Sequence, residues 1–322
     1  MQIQDVFHHY GQDLKRAEEH MEMYLRSEVQ LIPEIIQHLI GSGGKRFRPL
    51  LLLASADLCG YRGDRRYPLS AIIEFIHTAS LLHDDVIDGA ETRRGKASAN
   101  RVWGNAASVL VGDFLYSKAF KLIAEDGNPA ILKLLSTTTN TMSEGEVFQL
   151  MKAGDITITE KDYLTIVEKK TSILISAACA IGGILGDAGE RRIEALTRFG
   201  IRLGTAFQIT DDTLDYVAKA DEFGKAIGQD LGEGKLTLPL IRTMKKCTPE
   251  ERAFIRRGIE EKDDGATGEI MALIDRYDGI NHALAKATAC IGEAKGFLAG
   301  FDDSPAKKSL VAIADYIIER RV

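Results

Sequence analysis

Proline is scarce in this 322-residue chain, at seven residues, and tryptophan occurs once. No apolar run approaches the ~20 residues needed to cross a bilayer as a helix. The longest, residues 173–186, carries Ser176 and several glycines and is expected to be a buried helix. The four cysteines, Cys59, Cys179, Cys247 and Cys290, are widely scattered. That spacing argues against a disulfide framework and a zinc site, and for a reducing compartment, the cytoplasm. Positive charge is also lacking overall: a formal net charge of −6 leaves no broad footprint for nucleic acid, so any basic residues that bind a ligand must act locally. The start, MQIQDVFHHYGQDLKR, has no basic-then-apolar pattern, and no secretory signal is expected.

What is present is an ordinary globular composition, 45% hydrophobic and 27% charged, in which apolar residues recur at three and four residue steps. The pattern predicts an all-α fold of one domain over residues 1–322. A first amphipathic helix is expected over 14–40, accommodating Pro33 as a kink, and a second over 48–58 with Pro49 in its first turn. Residues 68–87 are apolar on nearly every face and read as a helix buried among others. Further helices are expected over 106–123, 130–151, 160–185 and 191–217, then past Pro239, and over 282–298 and 304–320. The charged stretch 245–265 reads as a solvated surface hairpin, and Asp155 to Thr159 as a short alternating interruption.

The buried helix over 68–87 ends in Leu81-Leu82-His83-Asp84-Asp85-Val86-Ile87-Asp88. On a helix, Asp84 and Asp88 lie one turn apart on one face with Asp85 beside them. Carboxylates so close repel, raising their pKa values, and such a cluster usually needs a cation. The spacing returns at Asp211-Asp212-Thr213-Leu214-Asp215. A single DDxxD is equally an exposed helix end, but the apolar approaches FIHTASLLHDD and GTAFQITDD make solvation a poor description of both. Two carboxylate clusters on facing helices would suit Mg²⁺, which keeps waters and favours carboxylates together with substrate phosphates.

Basic residues fall where phosphate would need them. Gly43-Gly44-Lys45-Arg46-Phe47-Arg48-Pro49 joins a glycine loop to a helix start, where backbone amides and side chains can converge on an anion. Arg93 and Arg94 follow Asp88 by one short loop, and Gly224-Lys225 and Gly234-Lys235 bracket a loop after Asp215. Taken alone, each is more often a surface feature. His77 alone would read as a core histidine, but it lies seven residues before Asp84, two turns up the same face.

Together, GGKRFRP, IHTASLLHDDVIDGAETRRGKASAN, GDFLYSKAF, EKKT, FQITDDTLDY and FGKAIGQDLGEGKLTLPL resemble, in chain order, the motifs of the all-trans polyprenyl diphosphate synthases. The likeness runs from about Gly43 to Leu240 and is closest to medium and long chain members such as octaprenyl diphosphate synthase. It implies a single large helical bundle of the isoprenoid synthase type with a central cavity. It implies also a Mg²⁺-dependent condensation of isopentenyl diphosphate onto an allylic diphosphate such as farnesyl diphosphate. In that family both aspartate motifs bind Mg²⁺ bridging the allylic diphosphate. Asp84, Asp88 and Asp211 inherit the ligand role, and Asp85, Asp212 and Asp215 are further ligands or acceptors for groups around the metal. Arg93, Lys170, Thr171, Gln208, Lys225 and Lys235 match positions that hold the allylic diphosphate. Lys45, Arg48, His77 and Arg94 match those that hold isopentenyl diphosphate, with Gly44 contributing backbone.

No protein nucleophile is implied, since metal, Arg and Lys stabilise the departing diphosphate. The product grows into an apolar tunnel, and Ile76, Ala79 and Ser80 lie one or two turns beneath the aspartates, where short-chain relatives place an aromatic floor. The small residues here imply a product beyond the fifteen or twenty carbon class. The family is further expected to be homodimeric, with transient membrane contact, serving quinone side chains. The competing readings are a short-chain geranylgeranyl synthase, a terpene cyclase or head-to-head synthase, a Mg²⁺-dependent phosphohydrolase and a non-catalytic regulatory subunit. The GGKRFRP segment speaks against a cyclase, and the two intact clusters against a regulatory subunit.

Overall fold

Long stretches with apolar residues at helical spacing and few breakers leave helix as the favoured state, and the computed structural model is all-α over its described residues apart from one short ribbon. It describes residues 1–40, 46–217, 234–261 and 264–320. In chain order the helices are α1 (Ile3–His9), α2 (Gly11–Tyr24), α3 (Leu31–Ile40), α4 (Phe47–Leu58) and α5 (Arg66–Ile87). An antiparallel ribbon of β1 (Thr92–Arg93) and β2 (Lys96–Ala97) follows. Then come α6 (Ala99–Trp103), α7 (Asn105–Asp126), α8 (Pro129–Lys152), α9 (Glu160–Val167), a π-helical turn (Glu168–Ser172), α10 (Ile173–Leu185) and α11 (Glu190–Val217). The chain continues with α12 (Leu238–Lys246), α13 (Pro249–Glu260), α14 (Thr267–Arg276), α15 (Gly279–Phe297) and α16 (Pro305–Glu319).

Residues group into two compact units, one of Met1–Thr139, Leu174–Gly200 and Phe297–Ile313, the other of Asn140–Ile173, Ile201–Gly296 and Ala314–Val322. In the first, α5 is central and packs on α2, α4, α6 and α7. Its Leu69, Ile73, Phe75, Ile76 and Ala79 are fully buried, as are Leu50, Leu51, Leu52 and Leu53 of α4. Each large aliphatic side chain so placed contributes roughly 1.5–3 kcal/mol. A polar seam orients α2 on this core: Tyr67 Oη donates to Asp13 Oδ1 (2.7 Å), Arg66 Nη2 donates to the same oxygen (3.0 Å), and Tyr10 Oη donates to Asp57 Oδ2 (3.2 Å). In the second unit α12 packs on α9 and α14.

Two expectations are corrected. Residues 14–40 do not form one kinked helix. The α2 helix ends at Tyr24, the Val29 amide donates to Ser27 Oγ (3.2 Å), and α3 begins at Leu31. Pro33 therefore lies in a first helical turn, where its missing N–H costs nothing. Nor is 245–265 a solvated hairpin, because most of it is α13. Thr248 and Glu251 close a capping box, the Thr248 amide donating to Glu251 Oε2 (2.9 Å), and Ile255 and Ile259, four residues apart, are buried.

Candidate active site

The first aspartate motif forms the last turn of α5. Gly89, with φ 62°, closes it: the Ala90 amide donates to the Asp85 carbonyl (2.9 Å) and the Gly89 amide to Val86 (3.4 Å), a helix ending that needs a residue in the left-handed region. Asp85 is 1% exposed and faces Arg93, whose Nε is 2.9 Å from both carboxylate oxygens and whose Nη2 is 2.6 Å from Oδ1. Arg93 arrives there on the ribbon, whose two-residue turn is Arg94-Gly95, with φ 51° and 75°. That geometry suits tight hairpins but disfavours any residue with a side chain, by ~1–2 kcal/mol. Asp84 and Asp88, on the same face one turn apart, are partly exposed. His83 turns away toward α7, with Nε2 3.2 Å from the Val109 carbonyl and 3.4 Å from Asp113, in space left by Gly112.

Two turns up α5, His77 lies among arginines. Burial lowers its pKa well below the usual value, and Arg48, Arg93, Arg94 and Arg46 push the same way, so the imidazole is neutral. One turn further up, Glu74 is buried. Desolvation raises its pKa, while Arg48, Arg46 and Arg94 pull it down. Arg46 caps α4 with φ 45°, donates from Nε to Glu18 Oε1 (2.9 Å) and holds Nη1 4.0 Å from Glu74 Oε2. Gly44 and Lys45 lie outside the described residues. Ile76 and Ala79 are fully buried, and Ser80 is partly buried with its hydroxyl donating to the His77 carbonyl (2.8 Å).

In the second unit, the second motif lies near the end of α11. Asp212, 7% exposed, accepts from Tyr163 Oη (2.6 Å) and Gln208 Nε2 (2.7 Å), and Thr171 Oγ1 donates to Gln208 Oε1 (2.9 Å). Burial raises the Asp212 pKa to about 6, the two hydrogen bonds oppose this, and Asp211 and Asp215 add to it. Asp211 and Asp215 are partly exposed, and Asp211 pairs with Arg320, whose guanidinium lies 4.7 Å over the Phe207 ring. Lys170 and Thr171 belong to the π-helical turn, a form concentrated at functional sites. Lys170 Nζ is 2.7 Å from Glu146 Oε2. Two glycines admit this widened turn: a Cβ on Gly145 would stand 2.7 Å from Lys169 Cβ, and one on Gly204 2.6 Å from Ser172 Cα. Lys235 is partly exposed, and Lys225 lies outside the described residues.

Both motifs thus divide in the same way. The second aspartate is buried against protein donors, while the first and fifth lie partly exposed on one helical face, Asp211 in an ion pair with Arg320. The sequence profile of the polyprenyl synthetases matches residues 29–276. The chain belongs to that family. The octaprenyl diphosphate synthase of Escherichia coli is 40% identical over 297 residues, 92% of each chain. The structure of a decaprenyl diphosphate synthase from Rhodobacter capsulatus matches with a TM-score of 0.94 at 41% identity over 99% of both chains. A polyprenyl synthase from Caulobacter crescentus, solved with calcium and isoprenyl diphosphate, matches with a TM-score of 0.95 at 37% identity, covering 99% of this chain and 98% of that one.

The donor set of this family member fits a hard divalent cation. All candidate ligands are carboxylate oxygens, and no three acidic, imidazole or thiol groups converge among the described residues. Mg²⁺ is such a cation, taking carboxylate oxygens together with water and phosphate oxygens. Sequence reasoning missed Tyr163, Arg320, Glu146, Glu74 and Glu18. Only Glu74 carried a signal, as a carboxylate one turn from His77 and set among Ile72, Ile73, Phe75 and Ile76.

Proposed function

We propose that the protein acts as one polyprenyl synthase domain, a long-chain trans-prenyltransferase that adds isopentenyl diphosphate repeatedly to an allylic diphosphate such as farnesyl diphosphate and releases pyrophosphate. The observation that carries this reading is the repeated division of the aspartate motifs, Asp85 and Asp212 anchored while Asp84, Asp88, Asp211 and Asp215 stay partly exposed. Those four would hold Mg²⁺, which when bound supplies Lewis-acid stabilisation of the diphosphate leaving charge. Calcium in the Caulobacter relative supports a divalent site.

Arg93, already aligned by Asp85, and Lys170, aligned by Glu146, would take phosphate oxygens of the allylic substrate, together with Thr171, Gln208, Lys225 and Lys235. His77, Arg48 and Arg94, with Lys45 and the Gly44 backbone, would bind isopentenyl diphosphate. A neutral His77 can donate a hydrogen bond to a diphosphate without adding a fifth charge to four neighbouring arginines. The allylic C–O bond breaks, a C–C bond forms to the isopentenyl double bond, and the proton lost in forming the new double bond leaves with pyrophosphate.

For the product we propose octaprenyl diphosphate, for a quinone side chain, on the likeness to the Escherichia coli enzyme and the small Ala79 and Ser80. Exposed Leu110, Leu150 and Met151 on α7 and α8 support a homodimer. No helix among the described residues is long and apolar enough to cross a membrane, and we place the enzyme in the cytoplasm with transient membrane contact.

Incubating the purified protein with Mg²⁺, farnesyl diphosphate and labelled isopentenyl diphosphate should give one long polyprenyl diphosphate, and chelating the metal should abolish it. A twenty-carbon product, a cyclised terpene, free phosphate or no turnover would each replace this reading with a competitor. Ala79→Tyr should shorten the product, and an unchanged distribution would remove residue 79 from the tunnel.

A further inference from the structure

We propose that Arg46, held between Glu18 and Glu74, is a positioning strut for the basic pocket around His77. The inference rests on the reading that this pocket takes isopentenyl diphosphate, and it assigns a function to three residues that the reading does not use.

Arg46 is the cap of α4: its carbonyl accepts from the Leu50 amide (3.0 Å), and its backbone lies in the left-handed region at φ 45° and ψ 45°. A glycine would adopt that conformation without strain, and Gly41, Gly43 and Gly44 stand just before it in sequence. An arginine there is strained, so its side chain must return something. What it returns is a connection. Nε donates to Glu18 on α2 at 2.9 Å, and Nη1 is 4.0 Å from Glu74 on α5. One guanidinium therefore hydrogen-bonds the start of α4, whose first turn carries Arg48, to α2 and stands at ion-pair range of the helix that carries His77.

The partners are themselves fixed. Glu18 projects from α2, which the Asp13–Arg66 ion pair (3.0 Å) secures to α5, and Glu74 is buried one turn from His77. A buried carboxylate beside an anion pocket would repel a diphosphate if its charge were uncommitted. Arg46 commits it. The arginine faces two carboxylates, so it adds little to the attraction of the pocket. What it supplies is the placement of Arg48 relative to His77, which is the property a bidentate recognition site depends on.

The test compares Glu18→Gln, Arg46→Gly and the double variant, with Glu19→Gln, an exposed neighbour on α2, as control. Arg46→Gly keeps the left-handed backbone and removes only the strut. Each single variant should raise KM for isopentenyl diphosphate by about tenfold, the scale of one charge-assisted contact, with kcat and KM for the allylic substrate within twofold of the parent. The double variant should be no worse than Arg46→Gly. Calorimetric affinity for inorganic pyrophosphate in EDTA should fall in parallel. Unchanged KM and pyrophosphate affinity in Glu18→Gln, additive effects in the double variant, or an equal loss in kcat and both KM values with a lowered Tm would overturn the strut. If the parent consumes no isopentenyl diphosphate, the functional reading fails, and pyrophosphate affinity alone still decides whether Glu18 and Arg46 shape the pocket.

Discussion

His77 has little choice of protonation state. Well above its ordinary pKa of 6.5 the imidazole is neutral in folded and unfolded chains alike, and it adds no pH dependence there. Below that value the unfolded chain takes up a proton that burial and the surrounding arginines deny the folded one, so stability falls with acidification, at up to ~1.4 kcal/mol per pH unit. Glu74 runs the other way. Its pKa is raised, first by burial, so stability is lost as pH climbs from its ordinary 4.5 toward the folded value. Urea midpoints measured between about pH 5 and 7.5 should therefore fall less on acidification in His77→Asn than in the parent, and parallel curves would refute this. At this scale the sequence was legible where residues repeat a spacing, as Asp84, Asp88, Asp211 and Asp215 do. It was silent on Tyr163 and Arg320, because a tertiary partner far along the chain leaves no local pattern around it.

The π-helical turn Glu168–Ser172 shows what periodicity cannot reveal about an element. Helix was expected throughout 160–185 and helix is present, but one widened turn barely disturbs the spacing of apolar residues around it. The sign that it exists lies elsewhere in the chain, in Gly145 and Gly204, whose missing side chains admit its backbone. Gly145→Ala and Gly204→Ala are each expected to cost about 1–3 kcal/mol by overpacking. Gly145→Ala should also raise KM for the allylic substrate, since its new methyl would meet the Lys170 amide at 3.0 Å. Stability loss without any change in that KM would separate the turn from substrate binding. The break between α2 and α3 was missed for a different reason. Ser27 and Val29 close a local turn that competes with the helix, and the apolar spacing continues on both sides of it.

For the whole molecule, the all-α class followed from long runs of one periodicity, with few prolines to interrupt them. The grouping of segments did not follow. Leu174–Gly200 belongs with Met1–Thr139, a partition set by packing between distant residues and absent from composition. Family membership was more legible than this architecture, because the family's motifs are charged residues at fixed spacings while a helical core accepts many apolar sequences. The tight turn between β1 and β2 carries a consequence for the molecule as a material. Arg94 holds a left-handed conformation that glycine would take freely, beside the like charge of Arg93. Arg94→Gly should therefore relieve strain on the order of 1 kcal/mol but lose the attraction to Glu74, leaving the thermal midpoint within a degree or two of the parent while its condensation rate falls. With that outcome the arginine is kept for activity and not for durability, and selection for heat resistance alone would give no reason to retain it.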